Sequence, residues 1–125
     1  MNKVLVAQNA PAAVGPYCHG MQCGNTVYTS GQLGLDPATG DFPAGGVEAQ
    51  ATQALKNLGE VLAAAGMGFA DVVKTTVFLA NMSDFAAINS IYAEFFGDNK
   101  PARSCVAVKE LPKGGLFEIE AIAVK

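Results

Sequence analysis

Hydrophobic positions change period along this chain, and the changes mark out its elements. Val4–Val6 reads as a short strand, and Tyr17–Cys23 and Thr26–Ser30 as two more, joined at Gly24-Asn25, a dipeptide suited to a two-residue hairpin turn. Pro11, Gly15 and Pro16 make Asn9–Pro16 a loop, and glycine- and proline-rich Gly31–Gly46 reads as an extended loop with a turn at Asp36–Gly40. From Val47 the period becomes helical. Val47, Ala51, Ala54, Leu55, Leu58, Val61, Leu62 and Ala65 fall on one stripe opposite Glu48, Gln53, Lys56 and Glu60, with Gly66 as the stop. Val72–Leu79 is a β-branched run and predicts a strand buried on at least one face. Ser83 is expected to cap a second helix whose apolar face is Phe85, Ile88, Ile91, Tyr92 and Phe95, ending at Gly97. Arg103–Val108 and Leu116–Val124 are the last strands. The order β-β-β-α-β-α-β-β over a single domain, residues 1–125, predicts an α+β fold: a mixed sheet with two helices packed on one face. Which strands pair is left open.

Composition adds a surface that needs covering. Half of the 125 residues are hydrophobic and only 15% are charged, against about 25% for typical soluble domains. A chain this small has too much surface for so few charges, which points to a large interface between copies, a homo-oligomer. No apolar run reaches the ~18 residues of a membrane span. The amino terminus reads as too short for a signal peptide, and an odd three cysteines fit a reducing, cytoplasmic setting. The net charge of −3 and the absence of a Lys/Arg cluster disfavour nucleic acid as a partner.

Candidate chemistry gathers on two strands. Alternation places Arg103 and Cys105 on one face of their strand, and Glu118 and Glu120 on one face of theirs, among Val, Ala and Ile. Charges in such company are costly unless paired. Arg103 reads either as half of an ion pair with Glu118 or Glu120, or as an anchor for a small carboxylate. Cys105 could be a thiolate activated by the guanidinium, but an inert thiol is the commoner case, and a spectator role is expected. There is no phosphate-binding loop and no dinucleotide fingerprint. Cys18, His19 and Cys23 have the look of metal ligands, yet Cys18 and Cys23 differ in strand parity. The expectation is two small apolar fillers and a surface histidine, with no metal. Tyr17, Ser30 and Asn89 are unremarkable polar residues in isolation.

Several blocks in order carry a resemblance. They are Ala10-Pro11-Ala12-Ala13-Val14-Gly15-Pro16-Tyr17, Thr29-Ser30-Gly31-Gln32, Val73-Lys74-Thr75-Thr76-Val77, Pro101-Ala102-Arg103-Ser104-Cys105 and Glu118-Ile119-Glu120-Ala121. The chain resembles the reactive-intermediate deaminase (YjgF) family of enamine/imine deaminases nearly end to end. That resemblance implies a chorismate-mutase-like fold assembled as a homotrimer, with pockets between subunits. It implies that Arg103 binds the substrate carboxylate, that Glu118 rather than Glu120 orients the water, and that Tyr17, Ser30, Gly31, Asn89 and Cys105 line the pocket. The implied substrates are 2-aminoacrylate and 2-iminobutanoate-like species released by pyridoxal-phosphate-dependent dehydratases, converted to 2-keto acids and ammonia without a cofactor. Two departures stand out: Lys100, where an aromatic or apolar residue is expected, and His19, where glutamine is common. A trimeric sensor of small 2-keto acids, a ribonuclease or translation inhibitor, and a holdase-type chaperone are the competing readings.

Overall fold

Seven strands form one sheet in the computed structural model, which describes residues 1–125. In chain order they are β1 (Lys3–Leu5), β2 (Gly20–Cys23), β3 (Thr26–Thr29), β4 (Gln32–Leu33), β5 (Val72–Leu79), β6 (Ala102–Ala107) and β7 (Phe117–Val124). Helix α1 (Gly46–Ala63) follows β4, and α2 (Phe85–Phe96) links β5 to β6. In space the order is β1-β2-β3-β7-β5-β6, with β4 pairing to β7 as well. The β5–β6 pair is parallel, which is why it needs a helical crossover; the other pairs are antiparallel.

The core lies between the sheet and both helices. Along β7 burial alternates strictly, with Phe117, Ile119, Ala121 and Ala123 turned inward. They join Ala51, Ala54, Leu55, Leu58 and Leu62 of α1 and Ile88, Tyr92 and Phe96 of α2 in one cluster. Each fully buried leucine contributes about 2 kcal/mol through area removed from water. Helix α1 ends as its sequence predicts. Gly66 takes a left-handed φ of 70°, and Gly66 N–H and Met67 N–H bond back to the carbonyls of Ala63 and Leu62.

No helix covers the other face of the sheet. Tyr28 and Val106 stand exposed there, and Phe78 and Ile122 are only half-buried. The Lys74 ammonium donates to Ser104 Oγ across it, at 3.0 Å.

Three expectations need correction. The stretch read as a loop from Gly31 holds a strand, β4, whose Gln32 and Leu33 pair with Ile119 and Glu118. Two residues are too few to show a period, so composition hid it. Tyr17–His19 lies outside the ladder, because β2 begins at Gly20. Ser83 makes no capping hydrogen bond; it sits in a 3-10 turn, Met82–Asp84, that runs straight into α2.

Candidate active site

Glu118 owes its place to an interruption in the sheet. The β3–β7 ladder stops at Tyr28 opposite Ile122, where Thr29 Oγ1 accepts the Ala121 N–H at 3.0 Å in place of a backbone carbonyl. Pairing resumes only at Gln32. Ser30 and Gly31 span the gap, and the Glu118 carboxylate lies against Gly31 so closely that a Cβ there would meet its Cδ and Oε2 at 2.8 Å. Glycine leaves room for that approach. The gap is held from behind by α1, where buried Asn57 donates to the carbonyls of Leu33 and Leu35, both at 2.9 Å, and Gln50 Oε1 accepts the Leu116 N–H.

A cleft of about 480 Å³ opens in front of this carboxylate, lined among others by Tyr17, His19, Ser30, Gly31, Lys113 and Glu118. Ser30 Oγ donates to the Cys18 carbonyl at 2.6 Å, which leaves its lone pairs for a ligand. Burial, and secondarily the neighbouring charge of Glu120, raise the Glu118 pKa above its ordinary value. The side chain is thus poised to hold a proton and to give it back.

Arg103 is elsewhere. Thr75 of β5 pairs with Arg103 on one side and Ala121 on the other, so these three share the helix-covered face. Phe78 pairs with Glu118, and Thr76 with Glu120, on the opposite face. The ion pair considered for Arg103 therefore does not form within the subunit. Its guanidinium lies 5.3 Å from the Phe85 ring centroid and 4.7 Å from that of Tyr92, and Nη1 donates to Asn89 Oδ1 at 2.8 Å. The Tyr92 hydroxyl is in turn fixed by Thr75 Oγ1 at 2.7 Å. An arginine has five N–H donors; with Asn89 its one hydrogen-bonded protein partner, the rest are free in a cleft of about 420 Å³ that also touches Asn89, Tyr92, Asn99 and Lys100. A cation oriented by aromatic faces with donors to spare suits an anion such as a carboxylate.

The sequence-predicted residues therefore fall into two groups. Tyr17, Ser30, Gly31 and Glu118 share the first cleft, while Arg103 and Asn89 share the second and Cys105 lies beside them on the same face. Burial raises the Cys105 pKa, outweighing the nearby Arg103 charge, so the thiol stays protonated. His19 corrects the surface assignment. It is 6% exposed, and both ring nitrogens face backbone groups, at Ala7 and Pro11, which leaves neither free for a metal. Lys113 went unnoticed in sequence; its signal was the Pro112-Lys113-Gly114-Gly115 turn, in which it takes a left-handed φ of 58°.

This combination of mixed sheet, two covering helices and a cleft built around one desolvated carboxylate defines a class of small-molecule-binding α+β protein. Residues 7–125 match the family model described as Endoribonuclease L-PSP, and the chain belongs to that family, the YjgF family of the resemblance. The mouse protein named 2-iminobutanoate/2-iminopropanoate deaminase is 53% identical over 125 residues, covering 100% of this chain and 93% of its own. The Escherichia coli (strain K12) protein of the same name is 49% identical over 128 residues, covering 100% and 99%. Among solved structures, Escherichia coli TdcF with bound serine is 45% identical with a TM-score of 0.94, covering 98% of each chain.

Proposed function

We propose that this protein is a 2-iminobutanoate/2-iminopropanoate deaminase, acting as a cofactor-independent hydrolase of 2-imino acids. The observation that carries the reading is the Glu118 carboxylate, half-buried against Gly31 with a raised pKa. Such a group can take a proton from water and return it within one turnover. The reaction balances simply. Water adds to the C=N carbon of the protonated imine while Glu118 takes its proton, giving a carbinolamine. Glu118 then passes that proton to the nitrogen, the C–N bond breaks as Glu118 takes up the hydroxyl proton, and the 2-keto acid leaves with ammonia, which carries that proton away as ammonium. Arg103 holds the carboxylate through two parallel charge-assisted bonds, which fixes the imine carbon relative to the water.

The two clefts become one site only between copies. We assign the uncovered sheet face, with Tyr28, Phe78, Val106 and Ile122, to contacts in a homotrimer with the chorismate-mutase-like arrangement, each site taking Arg103, Asn89 and Cys105 from one subunit and Tyr17, Ser30, Gly31 and Glu118 from its neighbour. Half-hydrophobic composition and 15% charge support the same assembly. The physiological setting is metabolite damage control in the cytoplasm. The family description names an endoribonuclease; a net charge of −3 weighs against a polyanionic substrate.

The test couples a threonine dehydratase to the protein and follows 2-ketobutyrate with semicarbazide as a competing trap. It is then repeated on Arg103→Ala and Glu118→Gln chains, each inactive alone, after unfolding and refolding them together. About three-quarters of random trimers are mixed and each of those carries one intact site, so about one quarter of wild-type activity should return. Turnover no faster than buffer would overturn the deaminase reading. An active parent with no complementation would overturn the shared site.

A further inference from the structure

His19, just before β2, is held between two backbone groups of opposite polarity. Nδ1 accepts the Ala7 N–H at 2.9 Å, and Nε2 lies 2.7 Å from the Pro11 carbonyl. The proton therefore sits on Nε2 and the ring is neutral. Both partners belong to the segment that supplies Pro11, Ala12, Val14 and Tyr17 to one wall of the Glu118 cleft. That wall has few other anchors. Ala7 and Ala10 pack on Val61, and Asn9 reaches Glu60 at a long 3.5 Å. Beyond Pro11, the one hydrogen bond of residues 12–16 is internal, Tyr17 N–H to the Gly15 carbonyl, and Tyr17 is 53% exposed.

We infer that His19 is a positioning residue for this cleft: a neutral-imidazole clip that holds the Ala7–Tyr17 segment as the wall and releases it on protonation. A second proton on Nδ1 would turn the acceptor into a donor facing the Ala7 N–H, and two donors cannot bond each other. Both contacts are needed, since one fixes where the segment leaves β1 and the other where it turns toward Tyr17. The titratable groups that share a cleft with the ring are Tyr17, Lys113 and Glu118, with Cys18 beside it in the chain. Glutamine offers one acceptor and one donor without titrating, and is the variant that separates the clip from its proton dependence.

The catalytic consequence rests on the deaminase reading, but the clip itself is read without turnover. Hydrogen exchange at the Ala7 amide, normalised to unstructured rates, is followed by NMR from about pH 5 to 8, the range in which histidine titrates. The wild type should lose Ala7 protection toward acid, whereas His19→Gln should keep it throughout. In the coupled assay, His19→Ala should lower kcat/KM about tenfold, mainly through KM, as expected for a lost buried hydrogen bond. His19→Gln should recover most of that loss and remove the histidine step from the pH profile. Ala7 protection that stays constant in the wild type, or falls equally in His19→Gln, overturns the inference, as does wild-type KM in His19→Ala. If wild-type protein shows no turnover at all, the deaminase reading fails while the Ala7 amide still decides the clip.

Discussion

Replacing Gly31 by alanine adds one methyl group against the carboxylate assigned the water-activating role. The methyl would stand 2.8 Å from Glu118 Cδ and Oε2 and 3.2 Å from Cγ, where ordinary contact begins at 3.4 Å. Nothing in the backbone opposes the change, because Gly31 is not among the glycines of positive φ. The carboxylate, at the end of a flexible side chain, has to give way by about 0.6 Å. Misplacing a reacting group by about 1 Å costs on the order of 10²-fold, so Gly31→Ala should lower kcat by about 10- to 100-fold. Stability should change by no more than about 1 kcal/mol, a Tm shift of a few degrees. The assay is 2-ketobutyrate formation from dehydratase-generated imine, with a thermal melt on the same preparation. A second variant tests the route: if the methyl acts through the carboxylate, Gly31→Ala combined with Glu118→Gln should be no slower than Glu118→Gln alone. Wild-type kcat in Gly31→Ala would refute the placement of Glu118, and additive losses in the double variant would refute the mechanism of the effect.

Glu118→Gln itself should bind 2-ketobutyrate normally while kcat falls about 10²–10⁴-fold, the usual range for a lost general base. Its stability has a defined sign. With the folded-state pKa raised, first by burial and then by Glu120, the Glu118 contribution is fully present below the ordinary carboxylate range and is lost as pH rises through the folded value. Glu118→Gln should therefore melt higher than wild type near neutral pH, and the gain should vanish below about pH 4 in paired thermal scans. Glu120→Gln removes the smaller of the two causes, so the acid limb of kcat/KM should move to lower pH, and an unmoved limb would assign it to another group. Arg103→Lys should lose most activity at unchanged Tm, since an ammonium cannot reproduce the planar fork stacked on Phe85 and Tyr92. Near-normal turnover there would defeat the bidentate clamp.

Long periodic segments announced themselves. The α1 stripe and the alternation of β7 were legible because each repeats its burial several times. What stayed hidden depends on contacts remote in sequence. β4 is two residues long and exists because Gln32 and Leu33 meet β7, while Asn57, more than 20 residues further along, holds the following turn. Nothing local distinguishes His19 from a surface histidine; its burial comes from the amino-terminal segment folding back over it. Asn89 was reached only through the resemblance, yet its own surroundings carry a signal. It lies one helical turn from Phe85 and close to Tyr92 on an otherwise apolar face, and a lone amide there has to serve something, here Nη1 of Arg103.

The resemblance implied pockets between subunits, but the residues themselves did not show that Arg103 and Glu118 fall on opposite faces, and that separation follows from a single register. Within a strand, parity is visible in sequence: Arg103 goes with Cys105, and Glu118 with Glu120. Parity alone does not say whether those two pairs share a face of the sheet. Pairing of Thr75 with both Arg103 and Ala121 decides it, because Glu118 and Glu120 alternate out of phase with Ala121. Had β6 slipped by one residue, arginine and glutamate would share a face and could neutralise each other within one subunit. As built, the arginine keeps donors unused, and the glutamate meets Gly31 rather than a cation. On the proposed shared site, each subunit presents half of a reaction. Separating the two charges across the sheet keeps both unpaired within the subunit, as the proposed reaction needs of a carboxylate anchor and a proton carrier.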